Sequence, residues 1–386
     1  MEQWLADRLC ASGHLTSDWR PSLLAVPRHQ FIPETIWRPD TRRRGPVLVP
    51  LHRAEHSNQW MKLAAGDDFV ITQVDDGHPV GPDGAGEIVT SSASMPRVVT
   101  LMLKHLDVHG GEQVLEIGTG TGWNAALLAH RLGTERVTSI EVDPQIAAHA
   151  RTALSNAGFG EVTVITGDGA RGYPPRAPYD RVIATVACTQ MPYAWVEQTL
   201  PGGRIVAPSW ALEYHGLLLA LTVAEDGTAT GHAVDHLSFM RLRDQRAEPR
   251  FAAFRSTDEE ERCASVTETS VHPAEVASGD YALSAIIAIG TRVADCQMDY
   301  FPSRAPDSRN GTLRLVDHHS RSWARLYYDR DDGPPYQVHQ YGPRKLWDEV
   351  EASHRWWVAQ GRPGADRWRF TVTPTEQQIT LISADQ

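Results

Sequence analysis

The chain has 386 residues, 41% apolar and 8% aromatic, a composition that suits a globular protein long enough for two domains. Its 37 Lys and Arg against 48 Asp and Glu leave a net charge of -11, which argues against a surface built to track nucleic-acid phosphates. Cys10, Cys188, Cys263 and Cys296 lie far apart without C-x-x-C spacing, and no apolar run approaches the roughly 18 residues of a membrane span. The expectation is a cytoplasmic monomer without a metal centre and without a membrane or nucleic-acid partner.

The N-terminus, MEQWLADRLCASG, reads as an amphipathic helix and not as a signal peptide. An arginine-rich turn follows at Arg42-Arg43-Arg44-Gly45, and residues 60–95 read as loop-rich. RVVTLMLKHLDVH (97–109) has helical spacing, with Gly110-Gly111 as its stop. From 112 to about 225 strands alternate with helices, the pattern of βαβ units and a parallel sheet. Beyond that the texture changes. A charged, linker-like stretch (DQRAEPRFAAFRSTDEEER) precedes short strands, among them DYALSAIIAIG, and one amphipathic helix, RKLWDEVEASHRWWVAQG. The fold class is α/β, a Rossmann-like sheet over residues 1–225 followed by a smaller α+β domain over 226–386.

The most informative stretch is VLEIGTGTG (114–122), a strand running into a glycine loop. Its glycines permit a sharp turn and a close backbone approach to a ligand. Glu141 ends the next strand, VTSIEVD, at a distance suited to ribose hydroxyls. A dinucleotide loop would read G-x-G-x-x-G and bind a pyrophosphate. Here the spacing is G-x-G-x-G behind Glu116, which would repel phosphate and suit a cation. S-adenosylmethionine, with a sulfonium, an ammonium and no phosphate, fits better than NAD. Gly167-Asp168-Gly169 after VTVIT supplies a third element, expected beside the adenine. The cofactor set is therefore Glu116, Gly118, Thr119, Gly120, Gly122, Glu141, Val142, Asp168, Gly169 and Thr185. Thr185 stands at the carboxyl edge of its strand, with Val186 beyond it on the substrate side.

Four stretches together resemble one family, the protein-L-isoaspartate O-methyltransferases. They are VPRHQFIPE (26–34), VTSSASMP (89–96), VLEIGTGTGWNAALLA (114–129), and GDGARGYPPRAPYDRVIATVACTQMP with PGGRIVAPS (167–209). The resemblance covers about residues 20–225. It departs at VTSSASM, where the family shows Thr-Ile-Ser-x-Pro-x-Met and the proline is displaced to Pro96. It departs again in the longer segment ITQVDDGHPVGPDGAGE. The tail of roughly 160 residues resembles the extension of actinobacterial members that methylate an aspartate in a modified precursor peptide. In those members the ester closes to a succinimide (aspartimide).

The resemblance implies that Ser91 is the active-site serine, with Thr90 and Ser92 beside it at the substrate. Read alone, VTSSAS is a polar loop capping the following helix. Arg28 is either a substrate contact or a surface arginine in a turn. The carboxylate nucleophile, ionised above about pH 3.9, needs no strong base, only aim and a dry site. The implied function is methylation of an aspartate in a modified precursor peptide. The alternative is methylation of isoaspartyl-containing proteins in repair. The aromatics of the tail (Trp323, Tyr327, Tyr328, Tyr336, Tyr341, Trp347) either offer a peptide-binding surface or fill a core.

Overall fold

The computed structural model describes residues 2–40, 47–246, 254, 256–278, 281–301, 310–329 and 333–383. The arginine-rich turn at 42–45 and the middle of the linker-like stretch lie outside the described residues. The chain forms two compact units. One comprises Met1–Val186, Pro192–Ala207 and Thr222–Ala229; the other comprises Ala187–Met191, Pro208–Leu221 and Thr230–Gln386. No helix among the described residues is long and apolar enough to cross a membrane.

The first unit opens with helices α1 (Glu2–Ala11) and α2 (Arg20–Ala25). The region expected to be loop-rich is instead a four-stranded antiparallel sheet. Its strands are β1 (Thr35–Pro39), β2 (Leu48–His52), β3 (Val70–Val74) and β4 (Val89–Ala93), in the order β2-β1-β3-β4. Helix α3 (Ser57–Ala64) packs Trp60 and Ala64 onto Ile36, Leu51 and Val70. The polar loop VTSSAS is thus largely strand β4, and its register against β3 slips around Gln73. Such irregularities re-aim side chains, often beside active sites.

Helix α4 (Pro96–Leu106) starts on a proline, where no intrahelical N–H is lost. It ends earlier than expected, because Asp107 takes the left-handed conformation (φ 57) ahead of the glycines. There follow β5 (Val114–Ile117), α5 (Trp123–Leu132), β6 (Val137–Glu141), α6 (Pro144–Asn156), β7 (Thr163–Thr166), β8 (Tyr179–Ala184), α7 (Tyr193–Glu197) and β9 (Thr199–Ser209). The strands lie in the order β9-β8-β5-β6-β7 and pair in parallel. Every residue of β5 and β6 is buried, as a sheet covered on both faces requires. Strand order reverses on either side of β5, so its carboxyl end is the switch point where such sheets open a ligand crevice.

The second unit contains most of β10 (Leu217–Val223) and of β11 (Ala229–His236), with α8 (Asp258–Cys263), β12 (Ser265–Thr269), α9 (Ala282–Gly290) and β13 (Gln297–Phe301). It continues with β14 (Asn310–Asp317), β15 (Ser322–Asp329), β16 (Tyr336–Tyr341), α10 (Leu346–Ala359), β17 (Trp368–Val372) and β18 (Gln377–Leu381). One sheet runs β12-β16-β15-β14-β13, all antiparallel; the other four strands run β18-β17-β11-β10. The stretch DYALSAIIAIG is helix α9, not a strand. It is buried on nearly every side and packs against α10, so its apolar run carries no period to tell helix from strand. Trp323, Trp347 and Trp357 are core residues, as are Tyr328 and Tyr336, whereas Tyr327 is exposed.

Candidate active site

The glycine loop leaves β5 at the switch point. Gly118, Gly120 and Gly122 all have left-handed φ (90, 54 and 87), which side chains other than glycine rarely adopt. The N–H groups of Gly118 and Thr119 both donate to Ile140 O, at 2.8 and 3.1 Å, which ties the loop to β6. Thr185 Oγ1 donates to Gly118 O at 2.5 Å, and a Cβ at Gly118 would meet that hydroxyl at 2.9 Å. In front of Gly120 a Cβ would meet nothing, so the loop faces open space there.

Glu116 is fully buried beneath the loop, not on its open face. Ser139 donates to one carboxylate oxygen, and Asn124 Nδ2 donates to the other at 2.7 Å. Thr119 Oγ1 lies 2.6 Å from Ser139 Oγ; since Ser139 spends its proton on Glu116, Thr119 is the donor. Burial pushes the Glu116 carboxyl up to about 7, opposed by these hydrogen bonds and reinforced by the charge of Glu141. The contribution expected of Glu116 to the cofactor site is therefore indirect, through the loop it holds.

Glu141 ends β6 nearly buried. Its Oε2 accepts from Gly120 N at 2.9 Å and its Oε1 from Asp143 N at 3.1 Å. An ionised carboxylate accepts at about four positions and suits the two hydroxyls of a ribose diol. Asp143 caps α6 through Gln145 N and Ile146 N. Val142, between them, is exposed. Asp168 caps a short turn through Ala170 N at 2.9 Å. Gly169 is fixed by packing, because a Cβ there would lie 2.6 Å from Ile117 Cγ2. Trp195 Nε1 donates to Gly169 O at 2.8 Å and pins the same turn. Gly118, Gly120, Gly122, Glu141, Asp168, Gly169 and Thr185 thus stand on the ends of β5, β6, β7 and β8. A glycine cradle with a carboxylate for a diol, and no basic group in the loop itself, fits S-adenosylmethionine.

The substrate-side residues separate. Ser91 is buried, and its Oγ accepts from Thr72 Oγ1 at 3.1 Å, which leaves its own proton free to donate. Thr90 points into a different network. Its hydroxyl donates to Gln73 Oε1 at 2.9 Å and accepts from Asp76 N at 3.0 Å, so both roles are filled inside the protein. Gln73 Nε2 then donates to Asp143 Oδ2 at 3.1 Å. Alternation along a strand accounts for the split between Thr90 and Ser91. Ser92 and Val186 are half-buried.

Arg28 is neither a surface residue nor open to a ligand. Its guanidinium donates to Gly66 O, Asp68 O and Ala93 O at 3.1, 2.9 and 2.9 Å, and reaches Ala64 O at 3.4 Å. Desolvation lowers its pKa to about 10, against the attraction of Asp67 and Asp68. It pins the turn after α3 to the end of β4. Cys188 is fully buried, and its thiol is pushed up to about 12 by that burial. Sequence reasoning passed over Thr72, Gln73, Asn124, Ser139 and Asp143. Asp143 before Pro144 carried a helix-cap signal; a buried glutamine in an apolar strand carries none.

These features define a class I methyltransferase site. The model of the protein-L-isoaspartate(D-aspartate) O-methyltransferase family matches residues 71–247. A protein-L-isoaspartate O-methyltransferase of Methanopyrus kandleri is 34% identical over 207 residues, 53% of this chain and 74% of the relative. Protein-L-isoaspartate O-methyltransferase 2 of Archaeoglobus fulgidus is 33% identical over 205 residues, 53% of this chain and 76% of the relative. A solved protein-L-isoaspartate O-methyltransferase has a similar fold over 99% of both chains, with a TM-score of 0.53 at 18% identity. The chain belongs to the protein-L-isoaspartate O-methyltransferase family. It is an S-adenosylmethionine-dependent carboxyl O-methyltransferase.

Proposed function

We propose that this protein methylates the side-chain carboxylate of L-isoaspartyl residues in peptide chains. The observation that carries the reading is the match to isoaspartate methyltransferases over about three quarters of their length. S-adenosylmethionine, when bound, supplies an electrophilic methyl group. The substrate carboxylate is already ionised at neutral pH, so the residues need only orient it. Ser91 donates its free proton to one carboxylate oxygen and so aims the other. Thr72 holds the serine in that rotamer by filling its acceptor side. Once the ester has formed, the following residue's amide nitrogen attacks the ester carbonyl. Methanol leaves, and a succinimide results.

One feature favours a second reading, methylation of an ordinary aspartate in a modified precursor peptide. The segment joining β3 to β4 is longer than the family's short version, and three of its aspartates, Asp75, Asp76 and Asp83, have left-handed φ (49, 51 and 56). Asp75 holds the turn by accepting from Glu87 N and Ile88 N. The tail does not favour this reading, since a solved isoaspartate methyltransferase shares the fold along its whole length. The test is mass spectrometry with S-adenosylmethionine and matched isoaspartyl and aspartyl peptides, plus a ring-modified precursor peptide. The first reading expects methyl-ester formation and methanol loss on the isoaspartyl peptide. Turnover of the precursor alone, at an ordinary aspartate, would replace it with the second.

A further inference from the structure

The segment Ala187–Met191 continues the chain directly from Thr185 and Val186. Within the second unit its backbone is held at nearly every position. Ala187 N donates to Met240 O and Leu242 N to Ala187 O, at 2.8 and 2.7 Å. Cys188 N donates to Pro208 O, and Trp210 N to Cys188 O, at 3.1 and 2.7 Å. Two side-chain amides complete the clamp. Gln245 Oε1 accepts from Thr189 N at 2.6 Å, and its Nε2 donates to Gln190 O at 2.9 Å. Gln377 Oε1 accepts from Met191 N at 3.1 Å, and its Nε2 donates to Met191 O at 2.9 Å. A segment fixed in this way does not have to be ordered when a ligand arrives.

Beside it lies a cavity of about 540 Å³, within the size range of ligand sites. Its walls carry Trp210 and Phe370, the amides of Gln190 and Gln378, and Arg241 with Glu213. The Arg241 guanidinium lies 5.0 Å from the centre of the Trp210 ring. It makes no ion pair within 4 Å among the described residues, although Glu213 is near enough to be felt. Desolvation lowers its pKa, the cost of a charge drawn partly out of water, and the charge of Glu213 opposes that shift. Strand β18, which lines the cavity, is the edge of its sheet among the described residues, with β17 as its strand neighbour. An edge strand offers main-chain donors and acceptors to an extended chain.

We infer that this cleft of the second unit binds the peptide chain flanking the methyl-accepting residue, with an acidic side chain of that peptide on Arg241. The inference rests on the peptide-substrate reading above. Amides and hydroxyls suit main-chain groups, the two aromatic rings suit side chains, and the guanidinium, in no ion pair among the described residues, selects a carboxylate. The second unit thereby sets which sequences around the accepting residue are taken.

The experiment uses the full chain and two peptides with a central L-isoaspartyl residue. One is long, flanked by glutamates and carries fluorescein; the other keeps only the immediate neighbours. Arg241→Ala is expected to weaken anisotropy-measured binding of the long peptide, and to raise its KM, by about tenfold, the worth of one hydrogen bond to a charged group. The short peptide's KM, the cofactor's KM and kcat stay unchanged. Arg241→Glu is expected to shift preference toward a lysine-flanked peptide, an outcome misfolding does not produce. Equal binding of the long peptide by Arg241→Ala and the parent overturns the inference, as does an equal loss on both peptides. If the parent binds the long peptide but methylates neither, the functional reading falls and the cleft stands.

Discussion

Ser91 is useful because of what its neighbour does. Thr72 fills the acceptor side of the serine hydroxyl, so the remaining proton has one direction to go. Ser91→Ala is expected to lower kcat by about 10- to 100-fold, in line with losing a hydrogen bond to a charged group worth ~1.5–3 kcal/mol. Cofactor affinity by calorimetric titration is expected to hold, because no cofactor-side residue bonds Ser91; a parallel loss of affinity would remove the assigned role. Glu116 gives a second residue-scale prediction. Its folded-state pKa is raised from an ordinary 4.5 to about 7, so the folded protein keeps a proton that the unfolded chain releases. The associated stability is complete below pH 4.5 and is lost as pH rises to about 7, on the order of 3 kcal/mol by linkage. Glu116→Gln keeps an acceptor for Asn124 and turns an amide N–H toward the Ser139 oxygen, without titrating. Its melting temperature is expected to vary less between pH 5 and 7 than the parent's. Identical pH dependence in the two proteins would mean that the buried carboxyl does not carry the shift.

At the scale of elements, Gln73 joins three that sequence places far apart. From β3 it bonds Thr90 on β4 and the capping Asp143 of α6, whose own N–H holds Glu141. Gln73→Glu sets a carboxylate against Asp143 in a buried place, where like charges repel strongly. Its loss of cofactor affinity is expected to grow with pH as that carboxylate ionises. Gln73→Leu, which only leaves Thr90 and Asp143 short of a partner, is expected to show a smaller loss that does not change with pH. Matching pH profiles for the two variants would rule out the electrostatic part. Gln73 also shows where reading the sequence stopped. The parallel strands were legible because Val114, Leu115, Ile117, Val137, Ile140, Val182 and Ile183 give them short apolar runs between helical patterns, and the glycine loop because its backbone angles admit little else. The β1–β4 sheet was not. Its strands are five residues long, and β4 buries hydroxyls whose partners come from β3. Burial of a polar side chain depends on a partner that periodicity does not reveal. Arg28 was misplaced for the same reason: four backbone carbonyls from distant positions pull it inside. Helix α9 failed in the opposite sense, being apolar on all sides and so without a period.

For the whole molecule, the division of labour between the units can be put to one measurement. Every residue assigned to the cofactor lies between Glu116 and Thr185, within the first unit, and the loop they build is stitched to β5, β6 and β8 by backbone bonds. A ligand stabilises what it binds, by about 2.7 kcal/mol at a concentration of 100 Kd. Hydrogen exchange with saturating S-adenosylhomocysteine is therefore expected to slow in the amides of 114–122, 137–143 and 163–170. The β12–β16 sheet pairs within the second unit, and its exchange at 265–269, 310–329 and 336–341 is expected to stay as it is. The segment 187–191 is the informative part. It follows Thr185 in the chain, yet its hydrogen bonds go to Gln245, Gln377 and the strands of the second unit. If it exchanges like the second unit, slowly and without regard to cofactor, the clamp is preformed and the peptide meets a rigid wall. If cofactor slows it together with the glycine loop, binding at the sheet ends is coupled to the clamp. Peptide affinity must then rise in the presence of cofactor by the same factor that cofactor affinity rises in the presence of peptide.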